Sequence, residues 1–437
     1  MLTTLKNAFK IKEVRHKILF TLAMLVVIRL GSQLPTPGVN GEEFAKWFTS
    51  KTGGAFSFFD ALTGGSFESV AILALGINPY ITSSIIMQLL TIAIPKLEDM
   101  QREGEDGRKK IASITRYVTV GLALIQATAM SIGFSNMGYM YIKGVFSVIV
   151  AIAALTAGSA FLMWIGEQIT EKGIGNGISI VLVINIISRL PEDFMNLYEM
   201  FIKGKPVMKG ILAAAIILAI IVGMVVLVVL LNSATRKIPV QYAKKMQGRK
   251  MVGGQTSSIP LRVNTSGVIP VIFAQSIMQF PLLICSFVGY QGTGFWGEVL
   301  KGMNSENWCR PEMLKYSIGL LFYIVLIVFF AYFYTSITFN PLMVADNMKK
   351  QGGFIPGIRP GKPTSDYLNK VLNYIVFIGA IGLTLISVIP FFFNGVFGAK
   401  VSFGGTSLII IVSVVLETMK QIESQMVVRN YKGFLQD

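Results

Sequence analysis

The chain has 437 residues, of which 53% are hydrophobic and only 14% charged, and a formal net charge of +16. Soluble domains carry about 25% charged residues, so this balance excludes a string of soluble domains. Charge-free runs recur along the chain, most exceeding the ~20 residues that cross a bilayer as a helix. Only helices or closed barrels satisfy their backbone in lipid, and these runs do not alternate as strands would. The sequence reads as an all-α polytopic membrane protein.

The first span, Ile18–Leu34, is apolar apart from Arg29. Lys10, Lys12, Arg15 and Lys17 before it resemble the front of a signal peptide. "GSQLPTPG" follows in place of a small-residue cleavage site, so this is a retained first helix. Next, "GGAFSFFDALTGGSFES" (53–69) is apolar in its middle, bracketed by Gly-Gly pairs and too short to cross. Two readings stay open: a short helix that turns back into the membrane and moves as a unit, or an outer loop lying on the interface. Spans two to four are Ser69–Ile94, Tyr117–Ile142 and Gly144–Gly166. The mixed-charge loop 95–116 between two of them is a solvated network.

Span five, Gly173–Ser188, has only 16 residues and follows from "GIGNG" (173–177). No strand precedes that motif and no Gly-Lys-Ser/Thr follows, so it is a tight turn and not a phosphate loop. Spans six to nine are Gly210–Thr235, Val263–Gly297, Tyr316–Ala345 and Val371–Ala399. Span ten, Val401–Leu416, is again 16 residues and contains "FGGTS" (403–407). Ten spans put both termini on one side. The termini and the even-to-odd loops hold 27 of the 39 Lys and Arg, the other side holds 10, and Arg29 and Arg189 lie in or at the end of spans. The positive-inside rule then makes both ends cytoplasmic. Cys285 and Cys309 are poor disulfide candidates, and with the single His16 they make a structural zinc site improbable.

"GINPYITSSIIMQ" (76–88) and "GVIPVIFAQSIMQ" (267–279) share a skeleton at the same place in spans two and seven. Five spans per half is an odd number, so the second half must run inverted. The halves are 1–205, with the 53–69 segment, and 206–437, with large loops at 232–266 and 345–370. Paired short or Gly-interrupted segments mark the working centre of such repeats, so helices two, five, seven and ten should meet there. The candidates to line that centre are Ile81 and Ile85, Leu182 and Ile186, Ile272, and Ile410. They form either a constriction that excludes water or ordinary helix packing. An ion-coupled secondary carrier, the main alternative function, would place Asp, Glu or His at midplane. Arg29 is the one firm intramembrane charge, and the pattern lets it snorkel to the outer interface. A non-transporting scaffold is the third possibility.

Loop 232–266 holds seven basic residues and no acid; loop 345–370 holds five basic residues and two acids. Positive-inside topology explains the charge but not the length, and long loops punctuated by Gly and Pro usually carry function.

"ALGINPYITSSIIMQLL", "EGEDGRKKI", "WIGEQITEKGIGNGISI", "QYAKKMQGRK", "IPLRVNTSGVIPVIFA", "ADNMKKQGGFIPGIRPG" and "FGGTSLIII" occur in this order across nearly the whole chain. The series resembles the SecY/Sec61-alpha family, channel subunits of the Sec protein translocon. The resemblance implies ten transmembrane helices in two inverted five-helix halves around an hourglass pore, opening at a lateral gate between helices two/three and seven/eight. It implies a pore ring of Ile81, Ile85, Leu182, Ile186, Ile272 and Ile410, with leucine at 182 where some relatives carry isoleucine. It makes 53–69 a re-entrant plug, with Phe59, Asp60, Ala61, Leu62, Thr63, Gly64 and Gly65 at its heart. Gln88, Ser276 and Phe280 fall at the gate, and Arg249, Lys250 and Arg359 at the contact with the ribosome or the SecA motor. SecE and SecG subunits, precursors with signal sequences and anionic lipids are the other implied partners. The implied site is a bacterial inner membrane, with no cofactor and no catalytic residue.

Overall fold

The computed structural model describes residues 8–51, 57–142, 144–203, 206–242, 245–247, 250–252, 256–288, 294–397 and 405–433. The N-terminal half comprises α1 (Lys12–Gly31), α2 (Gly41–Lys51), α3 (Ser57–Thr63), α4 (Asn78–Ala93), α5 (Pro95–Arg102), α6 (Glu105–Met137), α7 (Val145–Lys172) and α8 (Gly177–Phe201). The C-terminal half comprises α9 (Val207–Ser233), α10 (Ile269–Val288), α11 (Phe295–Met303), α12 (Ile318–Thr338), α13 (Pro341–Lys350), α14 (Lys362–Phe397) and α15 (Gly405–Gly433). Helices α1, α4, α6, α7 and α8, then α9, α10, α12, α14 and α15, answer to the ten expected spans.

Among the described residues α6, α7, α9, α12 and α14 are long and apolar enough to cross a membrane alone. The helices expected at the centre, α4, α8, α10 and α15, are not. A helix enclosed by others need not be apolar all round, which is why hydropathy marks the outer ring more clearly than the inner one.

Local chemistry sets the helix ends. Pro79 and Pro270 sit in the first turns of α4 and α10, where a missing N–H costs nothing. Asn176 caps α8 by accepting from the Ile178 and Ser179 amides at 3.1 and 3.4 Å. Span two begins later than the hydropathy implied. Residues 69–77 are buried without being helical, because the Val70 carbonyl accepts from Thr36 N and Ile72 N donates to the Leu34 carbonyl, both at 2.9 Å. This turn lies hard against α7: a Cβ on Gly158 would stand 2.1 Å from the Ile72 carbonyl oxygen. Span five is longer than expected, since α8 continues through Pro191 to Phe201.

The two basic loops are corrected most. Loop 232–266 is a hairpin of β1 (Thr235–Tyr242) and β4 (Thr256–Arg262) in register Ile238↔Ile259, with the short pair β2 (Lys245–Gln247) and β3 (Lys250–Val252) between them. From the other loop, β5 (Gly353–Phe354) pairs with β1 through Gln241↔Phe354 and Tyr242↔Gly353. The reason is a period-two pattern in "TRKIPVQY", where Ile238 and Val240 are buried and their neighbours exposed. Ile238, Val240 and Leu261 pack with Met348, Ile355, Leu368 and Ile375, so the sheet shares a core with α13 and the start of α14.

On the opposite face, Glu298 of α11 accepts from Lys315 at 2.7 Å, Tyr316 at 3.0 Å and Lys301 at 3.3 Å. These donors, Lys315 first, hold its carboxyl down to about 2. A carboxyl held below its unfolded value of about 4.3 stabilises the fold fully above that pH, and the contribution disappears as pH falls to the folded value. The melting temperature of wild type should therefore exceed that of Glu298→Gln at neutral pH, and the gap should close between about pH 4 and pH 2. A gap independent of pH would mean that the ion pairs do not support this cap.

Candidate functional site: an apolar waist and its stopper

At the centre one buried cluster gathers Leu182, Ile186, Ile272 and Ile410 with Leu62, Ile77 and Val414, and Ile81 packs on its edge. Ile81 and Ile272 occupy equivalent positions of the sequence repeat, one on α4 and one on α10. Five of the six expected ring residues thus converge from four helices of both halves. Ile85, one turn further along α4, is half-buried and stands outside that cluster.

The 53–69 segment is not a loop on the interface. Its helix α3 ends against α8, with Asp60, Ala61, Leu62 and Thr63 each 3% exposed or less. Phe59 belongs to α3, but its side chain lies outside the described residues, as do residues 52–56 altogether. The next two residues turn sharply, Gly64 at φ +67° and Gly65 at φ +87°, a region that favours glycine. A Cβ at Gly64 would also stand 2.9 Å from Arg29 Nη1 and 3.0 Å from Asn185 Cα.

Polar groups that the sequence did not single out fix this stopper. On α8, Leu182, Asn185, Ser188 and Arg189 share a stripe at helical spacing: the first joins the apolar waist and the other three face α3. Asn185 Nδ2 donates to the Leu62 carbonyl at 2.9 Å. Arg29 Nη1 donates to the Gly64 carbonyl at 3.1 Å and Ser188 Oγ reaches the same oxygen at 3.5 Å. Arg29 therefore does not snorkel outward; it caps the end of α3, where unpaired carbonyls favour a cation. Arg189 pairs with Asp60, with Glu68 at 2.5 Å and with Glu192. The Glu68 amide in turn donates to Asp60 Oδ1 at 2.9 Å, so the segment is folded on itself before it is docked. Asn185→Ala leaves the Leu62 carbonyl buried and unpaired, which costs about 1–3 kcal/mol. It should raise the resting ion conductance of the reconstituted protein, and conductance equal to wild type would remove Asn185 from the seat.

The two halves meet along unlike seams. On one side α15 packs on α8 and α1; on the other α10 touches α6. Behind that second seam α4 rests on α6 and α10 on α12, the latter with Phe273 and Phe330 stacked at 5.0 Å. Of the expected gate residues, Gln88 is exposed on α4. Ser276 donates to the Ile272 carbonyl of its own helix at 2.8 Å. Phe280 belongs to α10, with its side chain outside the described residues. Gln279, the repeat counterpart of Gln88, is 2% exposed and was not singled out. Arg359 is exposed and Lys250 opens β3, its side chain undescribed; Arg249 lies outside the described residues.

Comparison with known proteins agrees with this architecture. The SecY family model matches residues 71–419. Protein translocase subunit SecY of Streptomyces galbus is 44% identical over 451 residues, covering 100% of both chains. A solved structure described as that of a protein conducting channel superposes with TM-score 0.64 at 19% identity, covering 94% of this chain and 93% of the other. Sec61 in a canine ribosome–channel complex from the endoplasmic reticulum superposes with TM-score 0.60 at 18% identity over 94% and 93%. The match spans the waist, the seam and both sheet-forming loops, and the chain belongs to the SecY family.

Proposed function

We propose that this protein is a protein-conducting channel that passes unfolded secretory polypeptides across the membrane and releases apolar segments sideways into lipid. The observation that carries the reading is the dry waist: four helices from two inverted halves meet in aliphatic side chains, and a short helix held by non-covalent polar contacts stoppers it. A ring of branched aliphatics stops ions by excluding water and still yields to chains of any sequence, since it makes no specific polar contact. Membership of the SecY family sets aside the solute-carrier alternative.

In this reading residues 1–205 and 206–437 are the two jaws. The ring comprises Ile81, Leu182, Ile186, Ile272 and Ile410, with Ile85 a turn along the path. The jaws part at the α10–α6 seam, beside Gln88, Ser276 and Phe280. The apolar part of a signal sequence binds where the seam meets lipid. It opens the channel because it binds the open state better than the closed one. Segments in transit then choose between the aqueous path and lipid by their own hydropathy. The sheet-bearing loops, with Arg249, Lys250 and Arg359, receive the ribosome or the SecA motor, which supplies the work. SecE clamps the halves and SecG lies at the periphery, in a bacterial inner membrane with both termini cytoplasmic.

The test places a photoreactive residue at Ile85 and supplies a secretory precursor stalled midway. The expected crosslink moves along the precursor as the stall point moves. No crosslink to an engaged precursor would take α4 out of the path and overturn the assignment.

A further inference from the structure

Away from the waist, α12 and α14 do not close on each other over their whole length. Between them lies a groove of about 470 Å³ open to the side. Its inner part is apolar, lined by Phe329, Phe333, Leu372 and Val376; its other end is polar, with Ser336, Asn369 and Asn373. The Tyr332 hydroxyl donates to the Asn373 carbonyl at 3.2 Å and so ties the two walls together. Pro341 also lines the groove, so the polar end lies where α13 leaves the bundle.

The polar end has the features of a membrane interface. Lys370 follows Asn369 directly, and Tyr367 and Tyr374 flank it at helical spacing, all three exposed. Tyrosine concentrates at the level of lipid headgroups. Around this end, on α13 and the first turns of α14, exposed Lys349, Lys350, Lys362 and Lys370 outnumber exposed Asp346 and Asp366. The groove is small for a protein segment: two turns of helix about 10 Å across fill roughly 850 Å³. An acyl chain is far thinner.

We propose that this groove seats one anionic phospholipid of the cytoplasmic leaflet. One acyl chain lies along Phe329, Phe333 and Val376, and the phosphate meets the Asn369 and Asn373 amides with Lys370 at the rim. The leaflet rests on the orientation proposed above, which protease access to loop 345–370 in inverted vesicles tests by itself. The position gives the lipid a task. Helix α12 backs α10 at the seam through the Phe273–Phe330 stack, so a lipid wedged behind α12 braces the jaw that must move.

The test is native mass spectrometry of the chain with its co-purifying subunits, released from vesicles of phosphatidylglycerol and phosphatidylethanolamine. Wild type should keep one phosphatidylglycerol that Ser336→Trp loses, because the indole fills the groove from an exposed position that is not part of the core. Lys370→Gln should keep a lipid without preferring phosphatidylglycerol. Equal phosphatidylglycerol retention by wild type and Ser336→Trp, with matched melting temperatures, overturns the site. Equal retention of both lipids by wild type overturns the anionic assignment. A photoreactive residue at Asn373 that captures a protein and no lipid overturns the occupant. Lipid retention is read without a precursor, so its failure is distinct from failure of the channel reading.

Discussion

Arg189→Gln should open the resting channel more than any other single change on α8. The Asp60 side chain is 4% exposed and faces Arg189 inside the closed seat. Removing the cation leaves that carboxylate, and Glu68 beside it, without a counter-charge in a dry site. Breaking one side of a buried pair costs about 3–5 kcal/mol. The cost falls on the closed state alone, because a displaced stopper exposes Asp60 to water. Every ~1.4 kcal/mol is tenfold in an equilibrium, so the open population should rise by about two orders of magnitude. Resting conductance in planar bilayers measures this directly. Combining Arg189→Gln with Asp60→Asn should recover part of the closed state, because no orphaned charge then remains at position 60. Conductance of the single variant equal to wild type would show that the ion pairs do not hold the stopper.

Ile410→Asn attacks the seal itself. Ile410 is 1% exposed and sits in the aliphatic cluster with Leu182, Ile186 and Ile272. An amide there loses the apolar contact and has no partner, a desolvation cost of about 1–3 kcal/mol that a water chain through the waist relieves. The closed state weakens and the open state does not. Resting leak should rise, and precursors with shortened or interrupted signal sequences should cross more efficiently. If both leak and signal stringency stayed at wild-type levels, Ile410 would not belong to the ring.

What the sequence revealed follows the range of the interactions. The repeat at 76–88 and 267–279 was legible because a proline in the first turn and a fixed aliphatic spacing are local rules, and both helices begin where those prolines sit. The start of span two was misjudged because hydropathy records burial and not backbone state: residues 69–77 are buried by pairing with residues 34–36, not by coiling. The sheet was missed because its charge read as topology, although Ile238 and Val240 carried a strand's alternation in plain view. No local rule could have found the seat of the stopper. Arg189 and Glu68 are 121 residues apart, and Asn185 and Leu62 are 123 apart; only the packing of α3 on α8 makes them neighbours.

The three-stranded sheet means that the two long cytoplasmic loops are one handle. Strand β1 runs directly from α9, β4 leads into α10, and β5 leads into α14, while β1 holds β5 by its edge. Every root of this handle is in the C-terminal half. A partner that grips it at either loop therefore moves three helices together, and the N-terminal half feels the pull only where the halves meet. Such a pull is a torque on the seam. The seam at α10 and α6 is the narrow contact, with α15 on α8 acting as the hinge. Two partners reaching for the same handle would also compete for it without overlapping residue by residue, because seating one fixes the tilt that the other must accept.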